Sequence, residues 1–199
     1  MFADFHRRPA PAASRLALLA ALLGLVLFHG NVAAHTPGAH VHGEASLNVV
    51  ADGAQLEIQL QSPLDSVVGF EHAPRTDKQR EAVRTMATRM RQTKLFVPTP
   101  EAGCSVASVK LASNSLPAEL LGEPAVPATQ AVEKAKKPSG HDDLEATFVF
   151  RCSAPDRLRG LESSLQKAFP GIRTLKVRVV SARGQKALVL SRGRTSVQW

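Results

Sequence analysis

The stretch EASLNVVADGAQLEIQLQ, residues 44–61, decides the fold. Apolar and polar residues alternate over residues 45–50 and again over residues 55–61, which is the period of a β-strand with one buried face. Asp52 and Gly53 lie between the two runs, and an Asp-Gly pair favours the tight turn of a hairpin. The stretch therefore predicts two antiparallel strands that share one core face.

Further strands and helices are predicted downstream of this hairpin. Thr76 and Gln79 match a capping box, so a helix is expected from there to about Gln92. A second helix is predicted for residues 156–169, where apolar residues recur at helical spacing. Strands are predicted at residues 95–97, 105–111, 144–151, 172–180 and 186–190, with a short one around residue 197. This order predicts an α+β fold, with a mostly antiparallel sheet and about two helices on one face.

Residues 113–140 differ from the rest in composition. Four prolines are scattered there among Ala, Glu and Lys, which predicts a long flexible loop. The loop is expected to separate two blocks of one core rather than two domains. Residues 35–199 are accordingly predicted to form a single α+β domain.

The N-terminus has the pattern of an export signal. Three arginines precede an apolar run at residues 16–28, which is shorter than the roughly 20 residues that a membrane-spanning helix needs. Small residues follow, so residues 1–34 are predicted to be a signal peptide cleaved after Ala34. Cleavage would leave no stable membrane insertion. The alternative is an uncleaved membrane anchor.

The charge is uneven along the chain. The 199 residues carry a formal net charge of +8, and basic residues concentrate after Arg151. We expect no nucleic acid partner, because an exported protein meets little of it and the basic region lacks interleaved aromatic residues that stack on bases. A solvated basic face is the simplest interpretation. Attraction to acidic lipids or to an acidic partner is the alternative.

The chain has two cysteines, Cys104 and Cys152, too few for a four-thiolate zinc site. In an oxidising compartment a disulfide between them is expected. The alternative is two separate buried thiols.

The histidines downstream of the cleavage point are candidate metal ligands: His35, His40, His42, His72 and His141. If the first strand begins near His40, then His40, His42 and Glu44 project to the same side. Two imidazoles and a carboxylate suit zinc or copper.

Two other histidines lie beside acidic residues. His72 follows Glu71 in a loop, and both are candidates for a further ligand. His141 precedes Asp142 and Asp143 and forms the other cluster of a histidine with carboxylates. Each histidine also has an interpretation without metal: an exposed strand position, a hydrogen bond to the backbone, or ordinary linker.

Other functions remain open at this point. Cleavage after Ala34 would make His35 N-terminal, and its α-amine and imidazole would then chelate copper as a histidine brace. A structural or interaction module would need no metal. A zinc hydrolase or copper oxidase is the third option, but the sequence singles out no general base of the kind that hydrolysis requires.

Several phrases together resemble the ZrgA-like family of exported zinc-binding proteins. They are HVHGEASL at residues 40–47, GFEHAP at residues 69–74, the two cysteines, and Phe169-Pro170 before a basic strand. The resemblance implies a periplasmic, non-catalytic protein that binds zinc and assists high-affinity zinc uptake alongside an ABC-type zinc importer.

By position, His40, His42 and His72 match the recurrent histidines of that family, and Cys104 and Cys152 match its cysteines. Many relatives also carry a His- and Asp-rich stretch in the mid-chain loop. Residues 113–140 contain no histidine here, which argues against high-capacity zinc loading.

Overall fold

The computed structural model describes residues 41–124 and 142–199, and a six-stranded sheet forms its centre. Its strands in chain order are β1 (Glu44–Asp52), β2 (Gln55–Pro63), β4 (Cys104–Ala112), β5 (Asp143–Cys152), β7 (Thr174–Ser181) and β8 (Gly184–Ser191). A second sheet has three short strands, β3 (Phe96–Pro98), β6 (Gly160–Ser163) and β9 (Ser196–Gln198). The helices are α1 (Asp65–Val68), α2 (Asp77–Met90) and α3 (Leu165–Ala168).

The predicted hairpin is confirmed. β1 and β2 pair antiparallel from Asp52 opposite Gln55 to Ser46 opposite Gln61. Their alternation puts the apolar side chains on one buried face, where Leu47 and Ile58 are fully buried. The period of two in the sequence therefore becomes the inner surface of the sheet.

The sheet runs in the order β4-β5-β2-β1-β7-β8. β1 and β7 are parallel, and every other neighbouring pair is antiparallel. The fold class is confirmed: the described chain is sheet-rich, with helices packed on a mixed, largely antiparallel sheet. In the parallel pair, Glu44 lies opposite Thr174, which brings the start of the hairpin next to the start of β7.

One face of the large sheet is covered. α2 buries Val83, Met86, Ala87 and Met90, and the capping box at Thr76 forms as predicted. The small sheet packs on the same face, where the ring of Phe96 meets Phe148 edge to face at 4.9 Å. The core therefore lies between the large sheet and this layer of helix and short strands.

The helix predicted for residues 156–169 is wrong over most of its length. A 3₁₀ turn at Pro155–Arg157, strand β6 and the short α3 occupy this range instead. Leu158, Leu161 and Leu165 are buried as expected, but in different elements. Gly160 allows the close packing, since a Cβ there would overlap the Val197 carbonyl of β9.

The two cysteines form the expected disulfide. Cys104 and Cys152 lie opposite each other on β4 and β5, with their Cα atoms 3.8 Å apart. The bond therefore fastens an edge strand to its neighbour, at one end of the sheet.

The predicted mid-chain loop begins with anchored residues. Leu116 and Leu121 are buried, and Glu123 accepts a hydrogen bond from the Leu111 backbone N–H at 2.9 Å. Residues 125–141 lie outside the described chain, as does the predicted signal peptide, residues 1–34. Among the residues that are described, no helix is long and apolar enough to cross a membrane.

Candidate metal site

The candidate site lies at the open end of the β1–β2 hairpin, opposite its turn. β1 begins only at Glu44, and His42 sits just before it in a turn closed by a hydrogen bond from the Glu44 N–H to the Val41 carbonyl, 2.9 Å long. The premise that the strand starts near His40 is therefore wrong. His42 and Glu44 were predicted to project to the same side because side chains alternate along a strand. Gly43, whose φ is +80°, interrupts this alternation between them.

Gly43 is required at this turn for two reasons. Its positive φ is unfavourable for residues with a side chain. The space that a Cβ would occupy is also filled by the guanidinium of Arg173, whose Cζ would be 2.6 Å away. The main-chain direction at His42 is thus set by Gly43, its neighbour in the chain, and by Arg173, which directly precedes β7.

Asp65 comes from the other strand of the hairpin. β2 ends at Pro63, and Asp65 is the first residue of the one-turn helix α1. The Ser66 hydroxyl accepts a hydrogen bond from the Gly43 N–H at 3.1 Å and donates one to Asp65 Oδ1 at 3.0 Å. This hydroxyl therefore links the His42 turn to α1 and holds the Asp65 carboxylate towards the turn.

The His42 imidazole lies between two carboxylates. Its Nδ1 contacts Asp65 Oδ2 in a hydrogen bond, and its Nε2 lies 3.8 Å from Glu71 Oε1. The side chains of Asp65 and Glu71 are 26% and 19% exposed, against 56% for His42. One ligand atom from each of the three residues lies within 4.8 Å of the others, a spacing that allows them to share one metal ion.

The two carboxylates raise the pKa of His42. The largest cause is the hydrogen bond to Asp65, followed by the negative charges of Asp65 and Glu71. Desolvation and the positive charge of Arg173 oppose the shift. The site is therefore negatively biased around an imidazole, as a cation-binding site requires.

The other predicted ligands that the structure describes, Glu44 and His72, contact other groups. The carboxylate of Glu44 pairs with Lys176 Nζ on the neighbouring strand, so Glu44 takes a different partner from the one predicted. His72 directs its Nδ1 to the Ala73 carbonyl at 2.8 Å and stacks on the Phe70 ring, with centroids 5.2 Å apart. It is not part of the three-residue cluster. His35, His40 and His141 lie in the parts of the chain that are not described.

Asp65 is the site residue that the sequence analysis missed. It lies next to no histidine in the sequence, but the hairpin register points to it. Ser46 pairs with Gln61, and continuing that register beyond the ladder puts position 65 opposite position 42. The signal was therefore present in the predicted hairpin, as an acidic residue just after its second strand.

Comparison with known proteins gives one family. The family model described as ZrgA family zinc uptake protein matches residues 39–199, which include both strands of the hairpin and all three residues of the cluster. No curated protein matches the chain at a significant level.

Proposed function

Because the chain belongs to the ZrgA family of zinc uptake proteins, we propose that it is a periplasmic, non-catalytic protein that binds zinc and assists its high-affinity uptake. The observation that carries this proposal is the His42 imidazole held between the carboxylates of Asp65 and Glu71. Zinc is the cargo of such a protein, and its transfer would be to components of an ABC-type zinc importer.

The two nitrogens of His42 have different roles in this proposal. Metal-binding histidines usually donate their second N–H to a carboxylate or carbonyl, which fixes the ring and its tautomer. Asp65 supplies that carboxylate at Nδ1. Nε2 is then the nitrogen that binds zinc, with Glu71 as the neighbouring oxygen ligand.

The spacing of Nε2 and Glu71 fits this assignment. Two ligands at 2.0–2.1 Å from a tetrahedral zinc ion stand about 3.4 Å apart. The observed 3.8 Å between His42 Nε2 and Glu71 Oε1 needs only a small closure. The direct contact between Nδ1 and Asp65, by contrast, leaves no room for an ion between those atoms.

The exposure of the site suits capture and release. Structural zinc sites are closed by four protein ligands, whereas an open site keeps positions for other ligands. The His42 side chain is 56% exposed, so an ion bound to its imidazole would be within reach of solvent and of a partner's ligands. This supports a carrier role over a purely structural one.

The test is zinc affinity of the exported protein, purified from periplasm and measured by competition with a chromophoric chelator. We expect His42→Ala to weaken zinc binding by more than about 100-fold. This exceeds the usual effect of losing a residue that only hydrogen-bonds to a ligand, because His42 is a ligand itself. Glu71→Gln should weaken it strongly as well. Glu57→Gln is the matched control, because it removes the same charge from β2, where Glu57 lies opposite Val50 and does not belong to the cluster.

Wild-type affinity in both His42→Ala and Glu71→Gln would place zinc binding elsewhere and reject this site. Metal analysis of the same preparation separates zinc from copper. Copper in place of zinc would instead favour the alternative of a histidine brace at His35.

A further inference from the structure

The segment between α3 and β7, residues 169–173, contacts both the His42 turn and α1. Ile172 in this segment is fully buried and anchors it in the core. On either side of this anchor, Gly171 packs against α1 and Arg173 against the His42 turn. We propose that Arg173 is a positioning residue for the zinc site, which holds His42 in place before the ion arrives. This inference rests on the proposed function and deepens it.

Arg173 holds the turn through three separate contacts. Its backbone N–H donates to the Gly43 carbonyl at 2.7 Å, and its guanidinium donates to the His42 carbonyl at 2.8 Å. The guanidinium also fills the volume beside the Gly43 Cα. Arg173, 131 positions away from His42 in the chain, thus contacts two consecutive carbonyls of the turn. The Gly43 carbonyl also accepts from the Thr174 N–H, whereas the guanidinium is the donor to the His42 carbonyl.

The turn lies just outside the strand pairing on both sides. The ladder of β1 with β2 begins at Ser46, and that of β1 with β7 begins at Glu44. The hydrogen bond to Asp65 fixes the His42 ring, whereas the contacts of Arg173 fix the main chain that carries it. Arg173, directly before β7, therefore supports the turn where both ladders have ended.

The same segment also contacts α1, the element that carries the hydrogen-bond partner of His42. A Cβ on Gly171 would overlap the Ser66 carbonyl, so the segment runs in direct contact with α1. Gln166 of α3 in turn donates to the Arg173 carbonyl at 2.8 Å. This segment therefore contacts both the His42 turn and the helix that carries Asp65, in addition to the Ser66 hydroxyl that links the two directly.

The charge of Arg173 and its positioning contacts should change zinc affinity in opposite directions, and this difference provides the test. A guanidinium close to a cation site repels the cation, so if charge dominated, removal of Arg173 would tighten zinc binding. If positioning dominates, removal weakens it. The sign of the change in affinity distinguishes the two roles.

The experiment compares zinc affinities of Arg173→Gln, Arg173→Lys and Arg178→Gln with that of the wild-type protein, by chelator competition. Arg178 is an exposed arginine further along β7 and serves as the matched control for charge. Loss of an outer-shell partner typically costs about 10–100-fold in metal affinity, and we expect Arg173→Gln to fall in that range. Arg173→Lys should recover part of the loss, and Arg178→Gln should bind like wild type.

Equal or tighter binding by Arg173→Gln, relative to Arg178→Gln, would overturn the inference. The proposed site itself would survive this result if His42→Ala still abolished binding, so the two failures can be told apart. Circular dichroism without zinc checks that each variant is folded. If Arg173→Gln does not fold, the zinc affinity of Arg173→Lys provides the test instead. Wild-type affinity in Arg173→Lys would then overturn the inference.

Discussion

At the residue scale, Asp65 controls the proton on His42. Its hydrogen bond and its charge are the two largest causes that raise the pKa of His42, ahead of the charge of Glu71. A raised pKa in the folded state means that the protonated imidazole is stabilised by folding. This contribution to stability is complete below the unfolded pKa of about 6.5 and is lost as the pH rises through the folded value.

We therefore expect Asp65→Asn to lower the pKa of His42 in the metal-free protein, as measured by NMR titration of the ring. The deficit in unfolding free energy of this variant should be larger at pH 5.5 than at pH 8.5. Asp52→Asn, at the other end of the same hairpin, removes the same charge and should leave the pKa of His42 unchanged. An unaltered pKa in Asp65→Asn would contradict the assigned hydrogen bond.

Single residues also explain which parts of the site could be predicted from the sequence. His42 and Glu71 were identified from their chemistry, and the structure brings them together. Glu44 was assigned by strand alternation, which fails because Gly43 turns the chain before β1 begins. The partner of Glu44, Lys176, belongs to a parallel strand that is far away in sequence, and no local pattern could indicate it.

At the element scale, α2 depends on its N-terminal cap. The Thr76 hydroxyl accepts from the Gln79 N–H at 3.2 Å, and the Gln79 side chain accepts from the Thr76 N–H at 3.3 Å. These bonds satisfy N–H groups that a helix start leaves without partners. We expect Thr76→Ala to lower the unfolding free energy by about 1 kcal/mol, as measured by urea denaturation.

The control for this prediction is the same substitution inside the helix. Thr88 is exposed within α2, and alanine has the higher helix propensity, so Thr88→Ala should be neutral or slightly stabilising. Equal losses in the two variants would mean that the hydroxyl of Thr76 does not act as a cap. Zinc affinity should be unaffected by both, since neither residue belongs to the cluster of His42, Asp65 and Glu71.

The elements were predictable where one local pattern determined them. The hairpin and α2 each had a period and a turn or cap signal, and both form as expected. Residues 156–169 had only the spacing of their leucines as a helix signal. A turn, a strand and a short helix bury Leu158, Leu161 and Leu165 equally well. Gly160 was the opposing signal, because glycine weakens a helix interior.

At the scale of the whole molecule, the two ends of the large sheet have different roles. The His42 cluster lies at the open end of the hairpin, whereas the Cys152 N–H donates to the Ala54 carbonyl at the hairpin turn. β1 spans nine residues, so the disulfide and the cluster are separated by about 25–30 Å of strand. The disulfide therefore stabilises the frame without touching the site.

This separation predicts that stability and zinc binding can be changed independently. Replacing Cys104 and Cys152 together by alanine should lower the unfolding free energy by about 2–4 kcal/mol, since the loop they close bounds the entropic effect at about 4 kcal/mol. Zinc affinity of the folded variant should stay within about twofold of wild type, as for distant sites that share no partners. Urea denaturation without zinc and chelator competition on the same preparation measure the two quantities. A folded variant with strongly weakened zinc binding would show that the sheet couples its two ends, and unchanged stability would contradict the assigned role of the disulfide.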